Sequence, residues 1–451
     1  AKGHAGIMSL YDPYRAKTPM KRTNPEKGIG VDPKWAPISW EEALTTVAEK
    51  LKEVRKKDSR KLFMGTFDHN VMHQVIWPWA GAFGTPNTML AGGAWYCGPA
   101  LHTALYHLDA QFHSEIDVEL CNYTILFGNQ MGGNAGSLST TMGKKIADAR
   151  MRGMKLVVVD PILTNIAAKA DIWLPIRPGT DGALALCLLN VLVNELGIYD
   201  AEFLKVHTNG PYLIRPDGFF ARDAQTKKPL IWDNADGIAK SFDTDIKQPA
   251  LEGTYNINGI SCRPGFALFK EHIKQYTPEK VAEITTIPAG MIRQVAKEYG
   301  EAAKIGAKIV IDGKELPFRP VAVNQNRGAN SHKNGTVTAL AIQLLNQIVG
   351  AIYVPGGHMG LNVVGPQIYP WAWQPEAEED GMILTPVSRA FQLYDHSFLY
   401  NIGKEMGEPP FPMPGMKWPP DSPYFRELFP LGLWECTVWE LTLSDPEKYK
   451  P

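Results

Sequence analysis

Two carboxylates, Asp160 and Asp181, stand where a carboxylate can do more than keep a surface wet. Asp160 closes the apolar run LVVV (156–159) and is followed by Pro161, which ends a strand ladder because it has no N–H to donate. Asp181 follows the turn Arg177-Pro178-Gly179-Thr180 and opens an Ala- and Leu-rich segment. Placed at strand ends, such carboxylates can each accept two hydrogen bonds from a guanine edge or a ribose. Plainer uses stay open, Asp181 as a helix N-cap and Asp160 as a turn former. A third reactive group is Cys97, in the string AWYCGPALHTALYHL. At the mouth of a helix its thiol would feel the positive end of the dipole and ionise more readily. By type alone, a lone Cys before a helix also reads as a buried thiol. His102 and His107 share the following helix, five residues apart and so on different faces, with His102 turned toward the Cys97 end. Two polar turns complete the set. Gly128-Asn129 follows the apolar run 122–127, and NQNRGANSHKNGT (324–336) carries Arg327, Gly328, His332 and Asn334. Glycine at a strand end lets backbone N–H groups approach a phosphate closely.

The elements that position these residues alternate between strand and helix. Residues 156–159 are too apolar for a surface strand and predict a buried parallel one. Strands are likewise expected over 122–127 and 172–176, and helices over 139–152 and from Gly182 to about Leu196. That alternation predicts a doubly wound α/β fold with a mainly parallel sheet, and ligands in such folds bind outside the carboxyl ends of the strands. Toward the N-terminus, residues 1–38 are rich in Pro, Gly and Lys and predict a wrapped, loop-like lead-in. Ser39 and Glu42 form a capping box for a helix over 40–56, followed by a strand over 61–66 and a helix over 70–84 broken at Pro78. Short alternating pieces within 208–265 suggest inserted hairpins. A helix after Pro288 carries the stripe Ile292, Val295, Ala296 and Tyr299, and a hairpin over 304–317 turns at Asp312-Gly313. A further strand over 318–324 and a helix over 337–349 flank the second polar turn. Beyond residue 362 the chain is rich in Pro, Trp and Met, where Tyr369, Trp371 and Trp373 could wall a substrate funnel.

Composition narrows the function classes. A chain of 451 residues holds two or three domains, and a net charge of −1 with 21% charged residues argues against a nucleic-acid binder. Its five cysteines show no zinc spacing, and Cys121 and Cys187 fall in apolar patterns expected to be buried.

The string DPILTNIAAKADIWLPIRPGTDGALAL (160–186) resembles the guanine-dinucleotide-binding signature of the molybdopterin oxidoreductases of the dimethyl-sulfoxide-reductase family. The segments KGHAG (2–6), YDPYRAKTPMKR (11–22), RGANSHKNGT (327–336) and the PGG turn in 350–362 are similar to the same family. The resemblance implies two Rossmann-like, mainly parallel α/β domains with small β-hairpin inserts. One would be discontinuous over 39–95 and 318–451; the other, over 96–317, would bind the guanine dinucleotide and carry the insert at 208–265. It implies a catalytic subunit holding Mo or W in bis(molybdopterin guanine dinucleotide). Such a subunit performs oxygen-atom or electron transfer on a small or aromatic substrate. Its implied partners are an Fe–S electron-transfer subunit together with a membrane-anchor subunit. Cys97 would ligate the metal, a soft thiolate suiting it. His102, Lys2 and His332 would serve the chemistry, Lys2 between a [4Fe–4S] cluster and the pterin. The cofactor would be held by Gly128, Asn129, Asp160, Pro161, Thr164, Pro178, Gly179, Asp181, Arg327, Gly328 and Asn334. The family's cluster cysteines would precede Ala1, and its barrel domain would follow, so this stretch alone is expected to be inactive. A non-redox hydratase or transhydroxylase of the same family, and a cofactor-free scaffold, are the competing readings; a retained Cys97 argues against the scaffold.

Overall fold

The computed structural model describes residues 2–66, 83–85, 88–90, 101, 103–109, 114–131, 139–325, 327–332, 334–360, 376–377 and 383–384. The chain divides into two compact units, Ala1–Gly93 and Ala94–Pro451.

In the first unit, α1 (Lys2–Leu10) is a helix where a loop was expected. Its sequence KGHAGIMSL has helix formers enough to form one despite two glycines. An antiparallel ribbon follows, β1 (Met20–Arg22) against β2 (Trp35–Pro37). Helix α2 (Trp40–Asp58) starts as the sequence predicts, with the Ser39 hydroxyl accepting from Glu42 N at 3.0 Å. The capping box is only half made, because the Glu42 carboxylate pairs with Lys21 Nζ at 3.0 Å instead. A 3₁₀ turn (Ser59–Lys61) delays the next strand, so β3 (Met64–Thr66) is shorter than expected; it runs parallel to β4 (Thr88–Leu90).

The second unit is built on a four-stranded parallel sheet. It contains β6 (Tyr123–Phe127), β7 (Lys155–Val159), β8 (Ile172–Leu174) and β16 (Val321–Gln325), in the order β16-β6-β7-β8. Ahead of it lie α3 (Thr103–Asp109) and β5 (Ser114–Ile116). Strand residues alternate between two apolar layers, as a sheet covered on both faces requires. Ile125, Phe127, Val157, Val159 and Val323 face one core; Leu126, Leu156, Val158 and Ala322 face the other. The second core is closed by α4 (Ser139–Met151) through Met142, Ile146 and Ala149. The first is closed by α5 (Asp181–Asn190), which runs on into a π-helical turn (Val191–Leu196), and by α9 (Ala289–Ala302) and α10 (Gly335–Ile348). Burying each such Val, Leu, Ile or Phe side chain contributes ~1.5–3 kcal/mol, which makes the sheet the rigid part of the unit. The predicted stripe Ile292, Val295, Ala296 and Tyr299 is fully buried on α9.

The segment 208–265 forms hairpins as predicted. The pairs are β10 (Leu230–Asp233) with β11 (Ile238–Ser241), and β12 (Tyr255–Ile257) with β13 (Ile260–Pro264). A further hairpin joins β14 (Lys308–Ile311) to β15 (Lys314–Pro317) through Asp312-Gly313. Beyond it the expected division of the chain needs correcting. Residues 318–349 are expected to fold with 39–95, yet β16 is the edge strand parallel to β6, with Val321 opposite Tyr123 and Gln325 opposite Phe127. The physical reason is that VAVNQ is buried along its whole length, a pattern that fits a covered parallel sheet. Strand 172–176 is also shorter than expected: β8 stops at Leu174, and Arg177 N turns aside to Thr285 O at 3.0 Å.

Candidate functional site

The carboxyl ends of β16, β6, β7 and β8 lie on one side of the sheet, and every described cofactor residue predicted between 128 and 181 falls at or just beyond them. Asp160 N donates to Leu174 O at 3.2 Å, locking the ends of β7 and β8 together. The Asp160 carboxylate is buried and accepts from Ile162 N at 3.0 Å, while its carbonyl accepts from Trp173 Nε1 at 2.9 Å. Pro161 is exposed, and Thr164 is buried with its hydroxyl accepting from Ala167 N at 3.3 Å. Next comes the turn Arg177-Pro178-Gly179-Thr180, closed by Thr180 N to Arg177 O, with Gly179 at φ 78. Pro then Gly with positive φ is the composition of a type II turn. A Cβ on Gly179 would meet nothing within 4 Å, so this turn faces open space.

Asp181 is the first residue of α5 and not its N-cap, so the plainer reading of it fails. Its side chain is buried, and burial pushes its carboxyl up to about 7, with the nearby Asp160 carboxylate adding to the effect. Two carboxylates, 21 residues apart in sequence, are thus brought within electrostatic reach at adjoining strand ends. A ligand offering N–H or O–H donors would relieve both.

A second cluster lies at the ends of β6 and β16. Gly128 has φ 52, and a Cβ there would come within 2.4 Å of Ala329 N; one on Gly328 would come within 2.6 Å of Gly128 O. These two predicted glycines serve first to let two strand-end loops close on each other. Around them gather three buried amides, Asn129, Gln325 and Asn330. Asn129 Nδ2 donates to Asn324 Oδ1 at 2.6 Å, but its Oδ1 has no partner. Gln325 Nε2 donates to Ala339 O at 2.8 Å, and its Oε1 is also unpartnered. Asn330 is 1% exposed and neither its oxygen nor its nitrogen is satisfied. Each orphaned group costs about 1–3 kcal/mol, and four of them at the adjoining ends of β6 and β16 point to a ligand that carries both donors and acceptors.

The sequence model of the family described as "Molybdopterin oxidoreductase" matches residues 15–408. The chain belongs to the molybdopterin oxidoreductase family. A sulfite dehydrogenase subunit from Allochromatium vinosum is 32% identical over 386 residues, covering 79% of this chain and 39% of that protein. The molybdopterin-containing ArrA subunit of an arsenate respiratory reductase from a Shewanella species is 29% identical, covering 78% and 36%. Acetylene hydratase from Pelobacter acetylenicus is similar in structure with a TM-score of 0.47 at 23% identity, covering 78% of this chain and 38% of that one. The chain spans about two fifths of the length of the curated relatives it matches.

Membership makes molybdopterin the cofactor class against which the site is judged, and the residues fit. A pterin is a planar heterocycle edged with N–H donors and carbonyl or ring-nitrogen acceptors, which is what the orphaned amides of Asn129, Gln325 and Asn330 lack. Of these three, the sequence singles out Asn129 and not Gln325 or Asn330. The available signal was Asn-Gln at the end of the apolar run VAV, polar residues where a buried strand should stay apolar. For the other predicted residues the outcome varies. Arg327 and Gly328 lie in an exposed 3₁₀ turn, and Asn334 is exposed at the start of α10 with no side-chain cap bond. His332 is tied into its own loop, with Nε2 on Ala329 O at 3.0 Å and Nδ1 accepting from Asn334 N at 3.2 Å. Lys2 lies on α1, in the first unit. Cys97, His102, Tyr369, Trp371 and Trp373 lie outside the described residues. Cys121 and Cys187 are buried as expected, and burial pushes both thiols up to about 12.

Proposed function

We propose that this chain is the cofactor-holding part of the catalytic subunit of a Mo- or W-bis(molybdopterin guanine dinucleotide) oxidoreductase. The observation that carries the reading is the cluster of unpartnered buried amides at the carboxyl ends of β6 and β16, in a chain of this family. The bound metal and pterin would supply the two-electron chemistry; the chain's residues bind, orient and exclude water. Asn129, Gln325 and Asn330 hold the pterin edge. Asp160, Asp181 and the open Pro178-Gly179 turn take the guanosine end of a dinucleotide, the carboxylates accepting hydrogen bonds from base or ribose. Cys97 would supply the thiolate to the metal, and His102 would serve the chemistry there. Lys2 lies on the path to a [4Fe–4S] cluster. His332 organises its loop and is not assigned a proton-transfer role.

Similarity to subunits of a sulfite dehydrogenase and of an arsenate reductase supports oxygen-atom transfer on a small oxyanion. In that reaction the substrate either takes one oxygen from water, giving up two electrons as two protons are released, or in the reverse sense yields one oxygen as water, taking up two electrons and two protons. Those electrons would pass through Fe–S clusters to a partner subunit.

The test is elemental and nucleotide analysis of the full-length protein, purified without oxygen, beside Cys97→Ala. One Mo or W per chain, two guanosine monophosphates released per metal by acid, and loss of the metal in the variant are expected. Protein that holds neither metal nor guanine nucleotide, when a related enzyme loads in the same host, refutes the proposal.

A further inference from the structure

Strand β16 is the edge of its sheet, so backbone pairing fixes it from one side only, by β6. Its apolar half, Val321-Ala322-Val323, distinguishes poorly between neighbouring registers, with both valines in one core and Ala322 in the other. A shift by one residue is opposed from the open side. There Asn346 of α10 accepts from Val323 N and donates to Val323 O, both at 2.8 Å, and such a shift would turn both groups away. Gln343, one turn earlier, steadies that amide: it accepts from Asn346 Nδ2 at 3.4 Å and donates to Asp109 Oδ2 at 2.5 Å. A shift by two residues is different. It keeps each valine on its own face and brings Val321 to the same amide. It also carries Gln325 about 6.6 Å past Phe127, its partner on β6.

What opposes the two-residue shift lies just before the strand. Arg319 is buried and donates to the buried Asp200, with Nε at 3.2 Å and Nη2 at 2.6 Å from Oδ2. Its Nη1 donates to Ala307 O and Phe318 O. Asp200 is itself fixed. Its Oδ1 accepts from Phe203 N as the cap of α6 (Ala201–His207), and its N donates to Ile348 O at the end of α10. Sliding β16 toward the site would draw the guanidinium into the place of Val321 and leave both charges buried and unpaired. Pro320, with no N–H for the ladder, opposes the same slide less strongly. The height of the strand matters at its far end. There Asn324 Oδ1 accepts from Asn129 Nδ2 at 2.6 Å, and Gln325 Oε1 is one of the unpartnered acceptors. We propose that Asp200 and Arg319 are positioning residues for the cofactor site: their ion pair sets the height of β16 and so places Asn324 and Gln325 beside Asn129. An apolar pair of similar volume would hold the same elements about as stably while letting the strand slide. The inference rests on the pterin-edge role proposed above for Gln325.

The test uses full-length protein carrying Arg319→Met with Asp200→Asn, beside Arg319→Lys. Both partners are changed together because removing one alone would leave a buried charge. Two readouts are taken: amide hydrogen exchange over residues 321–325 compared with 155–159, and the rate of pterin loss in dialysis. In the double variant exchange over 321–325 should be at least tenfold faster, with 155–159 within twofold of wild type, and pterin should leave at least tenfold faster. Arg319→Lys keeps the charge and a donor for Asp200, so both readouts should return to within about threefold of wild type. If the double variant does not fold, Arg319→Gln, which keeps a donor without the charge, is read in its place, with at least threefold changes expected. Exchange that is unchanged, or faster to the same degree in both strands, overturns the role of the pair in holding β16. Faster exchange in β16 alone with pterin retained as in wild type overturns its role at the site. Wild-type protein without pterin refutes the proposed function instead, and exchange alone then decides whether the pair holds the strand.

Discussion

Gly128 and Gly328, two hundred residues apart in the chain, pack backbone against backbone: a side chain on either would overlap the other's loop by more than a flexible neighbour could absorb. The contact closes the end of β6 on the turn after β16 and brings Asn129 and Asn330 into one buried cluster. Gly128→Ala meets both that contact and a positive φ, so it should cost ~3 kcal/mol or more. Gly179→Ala meets only the positive φ, in open space, and should cost ~1 kcal/mol. Thermal unfolding of the two variants side by side checks the ranking; equal losses would mean that the loops part easily.

Asp181 makes stability and binding depend on pH in opposite ways. Its folded carboxyl titrates near 7, above the ordinary value of 3.8. Between those values the native form keeps a proton that the unfolded chain has released, so native stability falls as pH rises through the window and the full cost is present above 7. Asp181→Asn should therefore stabilise the cofactor-free protein at pH 8 by a few kcal/mol and leave it almost unchanged at pH 4. A guanine nucleotide needs the ionised carboxylate, so its affinity should fall roughly tenfold per pH unit below 7, and that slope should vanish in the Asn variant. Unfolding and nucleotide titrations at pH 5, 6, 7 and 8 read both effects.

Cys121 and Cys187 provide a check on the two cores. Both thiols are buried, and with titration pushed up to about 12 almost none of either is thiolate at pH 8. Neither should react with iodoacetamide in native protein, and both should react once it is unfolded in guanidinium. Rapid native labelling of Cys121, located by mass spectrometry, would show that the layer under α4 opens readily.

Much of this was legible in the residues. Runs such as LVVV and YTILF have one stable environment, a strand covered on both faces, and the period-3.6 stripe of α9 has only one face to bury. The signature 160–186 placed Asp160, Gly179 and Asp181 at strand ends because strand length and turn chemistry are local. What was not legible was long-range pairing. Nothing local tells β16 that its neighbour is β6, about 200 residues earlier, and the assignment of 318–349 to the other domain failed for that reason. The same holds for Asn330 and for Asp109 with Gln343. A buried polar residue looks like a surface one until its surroundings are known.

The amide cluster separates stability from binding in a way that a purely structural role would not. Asn330 is buried with its oxygen and nitrogen both unpartnered, a burden of ~2–4 kcal/mol to the cofactor-free fold. Leucine has the same branched skeleton, with bulkier methyl ends, and no polar atom to desolvate. Asn330→Leu should therefore raise the unfolding midpoint of cofactor-free protein by several degrees. In the loaded protein the sign reverses: the variant gives up hydrogen bonds to the pterin and should lose cofactor at least tenfold faster in dialysis, followed by the fluorescence of the released, oxidised pterin. Asn346→Leu supplies the contrast, since both its amide atoms are bonded to Val323 and its loss should destabilise both forms. If Asn330→Leu weakened the empty protein as much as Asn346→Leu does, the orphaned amide would be an ordinary part of the core and the pterin edge would have to lie elsewhere.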